Sequence, residues 1–277
     1  MEKSVGIIGY GSMGKMLLDR FSGSETVKGA LFVSNRHPEK IGETGANVTR
    51  CAGNRELAAR SDIILICVRP SDIRTVLEEI RPEVREETIV VSLNGSVSFE
   101  SMGQCLRCKT AKVIPSLTAE IRRSQSMACF NELMTEADKE SVIQLFESIG
   151  NVIPLPEKEM GMGSELASCM PGFIASIFDV ICDSARKHTE IPQEQIVDIV
   201  LRTLHATGEL MTEKKMGFAE VVERVATRGG ITEEGTKVIY GKFPGICDEL
   251  FDRTLEKRAL TARKAEEAFG NDRLPAT

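Results

Sequence analysis

The sequence predicts an α/β protein, with a Rossmann-type doubly wound, mainly parallel sheet in its first half and an all-helical second half. Three observations carry this reading. Short β-branched runs alternate with helix-like segments through residue 155. A glycine-rich turn joins the first strand to the first helix, and beyond Pro154-Leu155-Pro156 apolar residues recur only at helical spacing. Two domains follow, residues 1–155 and 156–277, as a length of 277 residues also implies.

In chain order, strands are expected at Ser4–Gly9, Gly29–Ser34, Asp62–Val68, Thr88–Leu93, Thr110–Ile114, Ser126–Asn131 and Val152–Leu155. Several are apolar without alternation, the pattern of strands buried on both faces. Helices are expected between them near Met13–Phe21, Asn54–Ala59, Ser71–Ile80 and Glu136–Ile149. In the second half Leu166, Met170, Phe173, Ile174, Ile177 and Ile181 form one stripe, which Pro171 interrupts. Another helix starts at Pro192 and carries Ile196, Ile199, Val200 and Leu204, and three more fall near Phe218–Ala226, Thr232–Tyr240 and Phe243–Phe269. Helices this apolar pack against something large, and a second copy of the chain is the expected partner.

Composition narrows the function. A net charge of −6, with no Trp and two Tyr, disfavours nucleic acid, whose phosphates attract clustered Lys and Arg. Met1-Glu2-Lys3-Ser4 lacks the features of a secretory leader, and no apolar run reaches the ~18 residues that span a bilayer. A cytoplasmic protein with no membrane partner is expected. The eight cysteines are read as buried or idle thiols; Cys105-Leu106-Arg107-Cys108 has no second pair to complete a zinc site. His37, His188 and His205 share no metal spacing, and no metal is expected.

Gly9-Tyr10-Gly11-Ser12-Met13-Gly14 is a GxGxxG turn between a strand and a helix, the context in which the pattern binds a dinucleotide. The first glycine permits the turn, the second lets backbone approach a pyrophosphate, and the third lets helix and strand close up. The helix start offers free N–H groups to the anion. The next strand ends Ser34-Asn35-Arg36, with no carboxylate to accept from a ribose 2′-hydroxyl. Ser34 and Asn35 offer hydrogen bonds, and Arg36 offers a guanidinium suited to a 2′-phosphate, so the expected cofactor is NADP(H). His37, beside Arg36, is placed to touch the same phosphate.

With these motifs the sequence resembles the pyrroline-5-carboxylate reductase family over nearly its whole length. The glycine loop, Ser34-Asn35-Arg36, Asn54 and Val68-Arg69-Pro70 fit the family's cofactor site, with Arg69 where members typically have Lys. Ala167-Ser168-Cys169-Met170-Pro171-Gly172-Phe173 falls where the family has Ser-Gly-Ser-Gly-Pro-Ala-Tyr, and Thr227-Arg228-Gly229-Gly230-Ile231-Thr232 where it has Ser-Pro-Gly-Gly-Thr-Thr. The resemblance implies a Rossmann domain, a helical domain that dimerises, and reduction of the cyclic imine of pyrroline-5-carboxylate to proline. It also implies an imino-acid pocket between the nicotinamide and the glycine turn of the helical domain.

Departures temper it. Pro115-Ser116-Leu117-Thr118 replaces Pro-Asn-Thr-Pro, and Ile231 stands at the threonine thought to bond the imine. These stretches are closer to the divergent branch around the late-competence protein ComER. A cofactor-binding regulator, or a reductase of a different small imine or carbonyl acid, is therefore a second expectation. Asn94-Gly95 and Pro115 end strands where a loop would pass the nicotinamide. Thr227, Gly229, Gly230, Ile231 and Thr232 are expected to touch substrate, the glycines through backbone N–H groups. The same stretch also reads as a cap, with Gly230 ending one helix and Thr232 capping the next. Thr232 and, if desolvated, Glu165 are the expected catalytic groups; a solvated or interfacial carboxylate is the plainer reading of Glu165.

Overall fold

The computed structural model describes residues 2–269. It forms two compact units: one comprises the chain up to Pro171 together with the residues from Leu255 onward, the other Gly172–Thr254. The change to all-helical character near residue 156 thus precedes the division between compact units.

In the first unit eight strands form one sheet in the order β3-β2-β1-β4-β5-β6-β7-β8. They are β1 Val5–Ile8, β2 Leu31–Ser34, β3 Val48–Arg50, β4 Ile63–Ile66, β5 Ile89–Ser92, β6 Lys109–Ile114, β7 Ser124–Phe130 and β8 Gly150–Pro154. All neighbours run parallel except β6 and β7. Strand β1 lies between β2 and β4, with Val5 level with Leu31 and Ile63. The chain winds outward in both directions from there, so the ends of β1, β2 and β4 border one crevice, where doubly wound sheets bind ligands.

Helices cover both faces. Helices α1 (Ser12–Ser22) and α5 (Glu136–Glu147) bury Leu17, Leu18, Phe21, Val142, Leu145 and Phe146 on one side. Helices α2 (Asn54–Arg60), α3 (Ile73–Ile80) and α4 (Phe99–Cys105) cover the other with Leu57, Ile73, Leu77, Ile80 and Met102. Ala265 and Phe269, at the end of the chain's last described helix, join that second layer. Strand β3 and helix α4 carry no periodic signal in the sequence. Strand β3 is three residues long and mostly exposed, whereas α4 is fixed by Ser98, whose hydroxyl accepts from the Ser101 N–H.

Helix α6 (Met160–Ser164) runs through a π-helical turn, Glu165–Cys169, into α7 (Met170–Ala185). The wide turn immediately precedes Pro171, which has no N–H to donate; the helix widens there and continues. Among the described residues, Glu157–His188 is the one helical run long and apolar enough to cross a membrane by length and composition. This corrects the expectation that no apolar run reaches that length: Ser168, Ser176 and Asp179 interrupt the apolar stretch without ending the helix.

The second unit is helical. Helix α8 spans Gln193–Lys214, so Pro192 stands just before it and not at its first position, and α9 spans Phe218–Val225. Helix α10, Ile231–Phe269, is continuous through Pro244, correcting the expected pair Thr232–Tyr240 and Phe243–Phe269. The proline lacks one helical donor, and the carbonyl it leaves free belongs to exposed Tyr240, where water can serve it. Thr232 is likewise inside the first turn of α10 and not its cap, and α9 ends well before Gly230.

Candidate active site

The glycine loop is shaped by contacts that admit no side chain. Gly9 has φ +100°, and a Cβ there would lie 2.8 Å from the Cys67 carbonyl oxygen. A Cβ on Gly14 would lie 2.0 Å from the Gly9 carbonyl oxygen, so α1 can begin this close to β1 only with glycine. Gly11 precedes α1 and no side chain caps it. The first-turn N–H groups of Ser12, Met13 and Gly14 therefore lack intrahelical acceptors and face an open loop, a ready anion site.

The end of β2 is tied to this loop. The Tyr10 N–H donates to Asn35 Oδ1 at 3.1 Å, and Asn35 Nδ2 donates to the His37 carbonyl at 2.9 Å. Asn35 therefore works as a brace. Ser34 is buried, and its hydroxyl donates to Asn54 Oδ1 at 2.7 Å, while Asn54 Nδ2 donates to Glu79. Arg36 extends into solvent with its side chain 72% exposed, its Nη2 3.4 Å from Asp72 Oδ2.

These residues surround a cavity of about 430 Å³ lined by Gly9, Tyr10, Gly11, Asn35, Arg36, Asn54, Val68 and Arg69. Ser12, Met13 and Gly14 continue the loop beside it, and Ser34 lies behind Asn54. The lining also includes His37, Lys40, Cys67 and Asp72. Lys40 escaped the sequence reading although it sits in the charged run Arg36-His37-Pro38-Glu39-Lys40. Asp72 carried no local signal, since it arrives from the turn after β4. Burial pushes the Cys67 thiol up to about 12, so it meets a ligand as a neutral thiol. A dinucleotide fits this architecture: helix N–H groups for a pyrophosphate, and two cations, Arg36 and Lys40, at the far end.

Pro70, Asn94, Gly95 and Pro115 do not line this cavity. The Asn94–Gly95 loop after β5 is held by the Ser96 N–H donating to Asn94 Oδ1 at 2.7 Å, and Pro115 is buried at the end of β6. Gly95 instead neighbours a second polar group, since a Cβ on it would lie 3.9 Å from Arg258 Nη1. Arg258 donates to Glu165 Oε1 through Nη2 at 2.6 Å and Nε at 3.0 Å, and to Ser164 Oγ at 3.1 Å. Glu165 is 1% exposed, and its other oxygen, Oε2, is buried with no partner. The carboxylate is thus neither solvated nor free, but clamped on one oxygen. Cys169 lies on the same cluster, and burial, then Glu165, push its thiol up against the opposing pull of Arg258. That is the reverse of what a redox nucleophile needs. All eight cysteines are free thiols, and no group of three or more metal-binding side chains occurs among the described residues.

In the second unit the Thr227–Thr232 stretch is a tight turn. The Gly230 N–H donates to the Thr227 carbonyl at 2.8 Å, and Gly229 has φ +74°. The Gly229 N–H donates to Glu233 Oε2 at 2.7 Å, so the chain's own carboxylate occupies part of the expected anion nest. The Ile231 side chain is 94% exposed.

A family profile described as "NADP oxidoreductase coenzyme F420-dependent" matches residues 4–95, and one described as "Pyrroline-5-carboxylate reductase dimerisation" matches residues 157–260. The chain is 32% identical over 262 residues to a Bacillus subtilis protein named pyrroline-5-carboxylate reductase 3, covering 93% of this chain and 96% of that one. It is 26% identical over 262 residues to ComE operon protein 4 of the same organism, covering 90% and 93%. In fold it resembles a Plasmodium falciparum pyrroline carboxylate reductase crystallised with NADP, with TM-score 0.82 and 21% identity over 94% of this chain and 98% of that one. The apolar exterior of the second unit, within the dimerisation match, marks the chain as a homo-oligomer. On the strength of the full-length match at 32% identity, the chain belongs to the pyrroline-5-carboxylate reductase family of nicotinamide-dependent oxidoreductases.

Proposed function

We propose that the chain reduces the C=N bond of pyrroline-5-carboxylate to give proline, using NADPH, as a homodimer. The observation that carries this is the full-length match to the Bacillus subtilis reductase, at 32% identity. Arg36 and Lys40, which with Arg69 make three cations on the cavity wall, and the lack of an acid at the end of β2 support NADPH.

NADPH, when bound, supplies the hydride to the imine carbon, and a proton reaches the nitrogen, so that the products are the secondary amine and NADP⁺. Gly9, Tyr10, Gly11, Ser12, Met13 and Gly14 hold the pyrophosphate. Ser34, Asn35, Arg36, Asn54, Val68, Arg69 and Pro70 form or brace the adenosine end, and Asn94, Gly95 and Pro115 shape the nicotinamide end. The chain's task is mainly positioning, because imine reduction needs little acid–base help once the nicotinamide and imine are aligned.

On this reading Thr227, Ile231 and Thr232 contact the imino acid, while Gly229 and Gly230 shape the turn, their N–H groups being held by Glu233 and the Thr227 carbonyl. With Ile231 lacking a hydroxyl, Thr232 is the nearest hydroxyl donor in that turn. Glu165 is the candidate acceptor that steadies the proton on the nitrogen: Arg258 clamps the carboxylate through Oε1 and leaves Oε2 without a partner. The test is the initial rate of NADPH oxidation with pyrroline-5-carboxylate, coupled to appearance of proline. Turnover at the rates of proline-making enzymes is expected; tight NADPH binding without turnover would contradict it. Ile231 and the match to ComE operon protein 4 favour a second reading, a cofactor-binding regulator, in which restoring Thr at 231 alone recovers little activity.

A further inference from the structure

The acid that many dinucleotide folds place at the end of the second strand is absent here, yet an acid still reaches the cavity. Asp72 closes the short turn Pro70–Asp72 after β4 and stands immediately before α3. An Asp in that place commonly caps the helix through its side chain. Here it makes no capping bond, because its backbone is already helical at φ −99° and ψ −8°. Its carboxylate turns instead toward Arg36 and lines the cavity with Arg36, Lys40 and Asn54.

One guanidinium therefore faces two anions. A 2′-phosphate has to share Arg36 with a carboxylate that also repels it directly. A ribose 2′-hydroxyl meets no such repulsion, and a carboxylate is the group that accepts its hydrogen bond. We infer that Asp72 is a specificity-determining residue that restrains the preference for NADPH and keeps NADH usable by the same site. Arg36 and Lys40 supply the attraction for the phosphate, and Asp72 sets how much of it is realised. This inference rests on the nicotinamide reading above.

The test is a titration of the full-length protein with NADPH and NADH, comparing the wild type with Asp72→Asn, which keeps the shape and removes the charge. Removing one unit of like charge a few ångströms from a phosphate is expected to tighten NADPH about tenfold. NADH is expected to stay level or weaken, so the ratio of the two Kd values moves by at least that factor. Asp72→Ser, too short to reach Arg36, should shift the ratio in the same direction. A purely structural role would change both cofactors alike. In an Arg36→Met background the gain should shrink only in part, because the share that comes from competition for the guanidinium is gone while the direct repulsion of the phosphate stays. An unchanged ratio in Asp72→Asn, or equal changes for both cofactors, would overturn the inference. Failure of the wild type to bind either cofactor would instead remove the nicotinamide reading, and this inference with it.

Discussion

The two units solve their folding problem differently. In the first, both faces of the sheet are sealed by helices, and Ile7, Leu17, Phe21, Leu65 and Phe146 are fully buried within one chain. Within Gly172–Thr254 the only buried apolar residues among those described are Cys182, Ile196 and Met216. Most of the chain's exposed large apolar side chains lie there, including Val180 at 68% and Phe218 at 81% exposure. A monomer does not leave so much apolar area in water without a partner. The cavity beside the glycine loop is thus lined from the first unit of one chain, while the helical unit leaves its apolar side chains uncovered.

The largest expected effect breaks this contrast at its weaker side. Val180→Glu places a charge in an apolar interface, where an unpaired buried charge costs about 3–5 kcal/mol. Sedimentation should show monomers, while NADPH binding stays close to wild type because its cavity lies in the other unit. A stable dimer would mean that this face is not the interface.

Gly14→Ala attacks the stronger side. With the Gly9 carbonyl in the way, the strain should reach about 3 kcal/mol, at the upper end for overpacking, and NADPH should bind at least about tenfold more weakly. Chemical denaturation and cofactor titration read the two effects separately. Arg36→Ala should cost NADPH about 1.5–3 kcal/mol, the worth of a hydrogen bond to a charged group, and leave NADH nearly unchanged. Equal losses would remove the case for a 2′-phosphate.

The smallest effect is on stability. Asp138 forms a capping box with Thr135 at the start of α5 and pairs with Lys109. Burial raises its pKa, but the Thr135 hydroxyl and N–H and the Lys109 ammonium together hold it below the ordinary 3.8. A folded-state pKa below the unfolded one contributes stability above the unfolded value, and that stability is lost as pH falls through the folded one. Asp138→Asn should therefore cost about 1 kcal/mol at neutral pH, with the gap to wild type closing below about pH 4. A gap independent of pH would show that the charge plays no part.

What the sequence made legible follows the range of the interactions. The glycine loop, with Ser34-Asn35-Arg36 next along the chain, could be read directly because each glycine answers a local steric need. Asp72 could not, since only the sheet order brings the turn after β4 beside the end of β2. The Glu165–Arg258 pair joins residues 93 apart, and nothing in either neighbourhood announces it. Within α10 the local pattern misled: it suggests one helix ending at Tyr240 and another starting at Phe243, yet a single exposed helix continues through Gly241 and Pro244. Thr232 was misplaced as a cap for a related reason, since Gly229 takes Glu233 as its partner and the helix starts one residue earlier.

The most direct test of the central claim is a single turnover. The protein, saturated with a stoichiometric amount of NADPH, is mixed with pyrroline-5-carboxylate, and the nicotinamide absorbance and proline are followed together. One proline should form for each NADPH consumed. Bound NADPH that persists unchanged in the presence of substrate would contradict it.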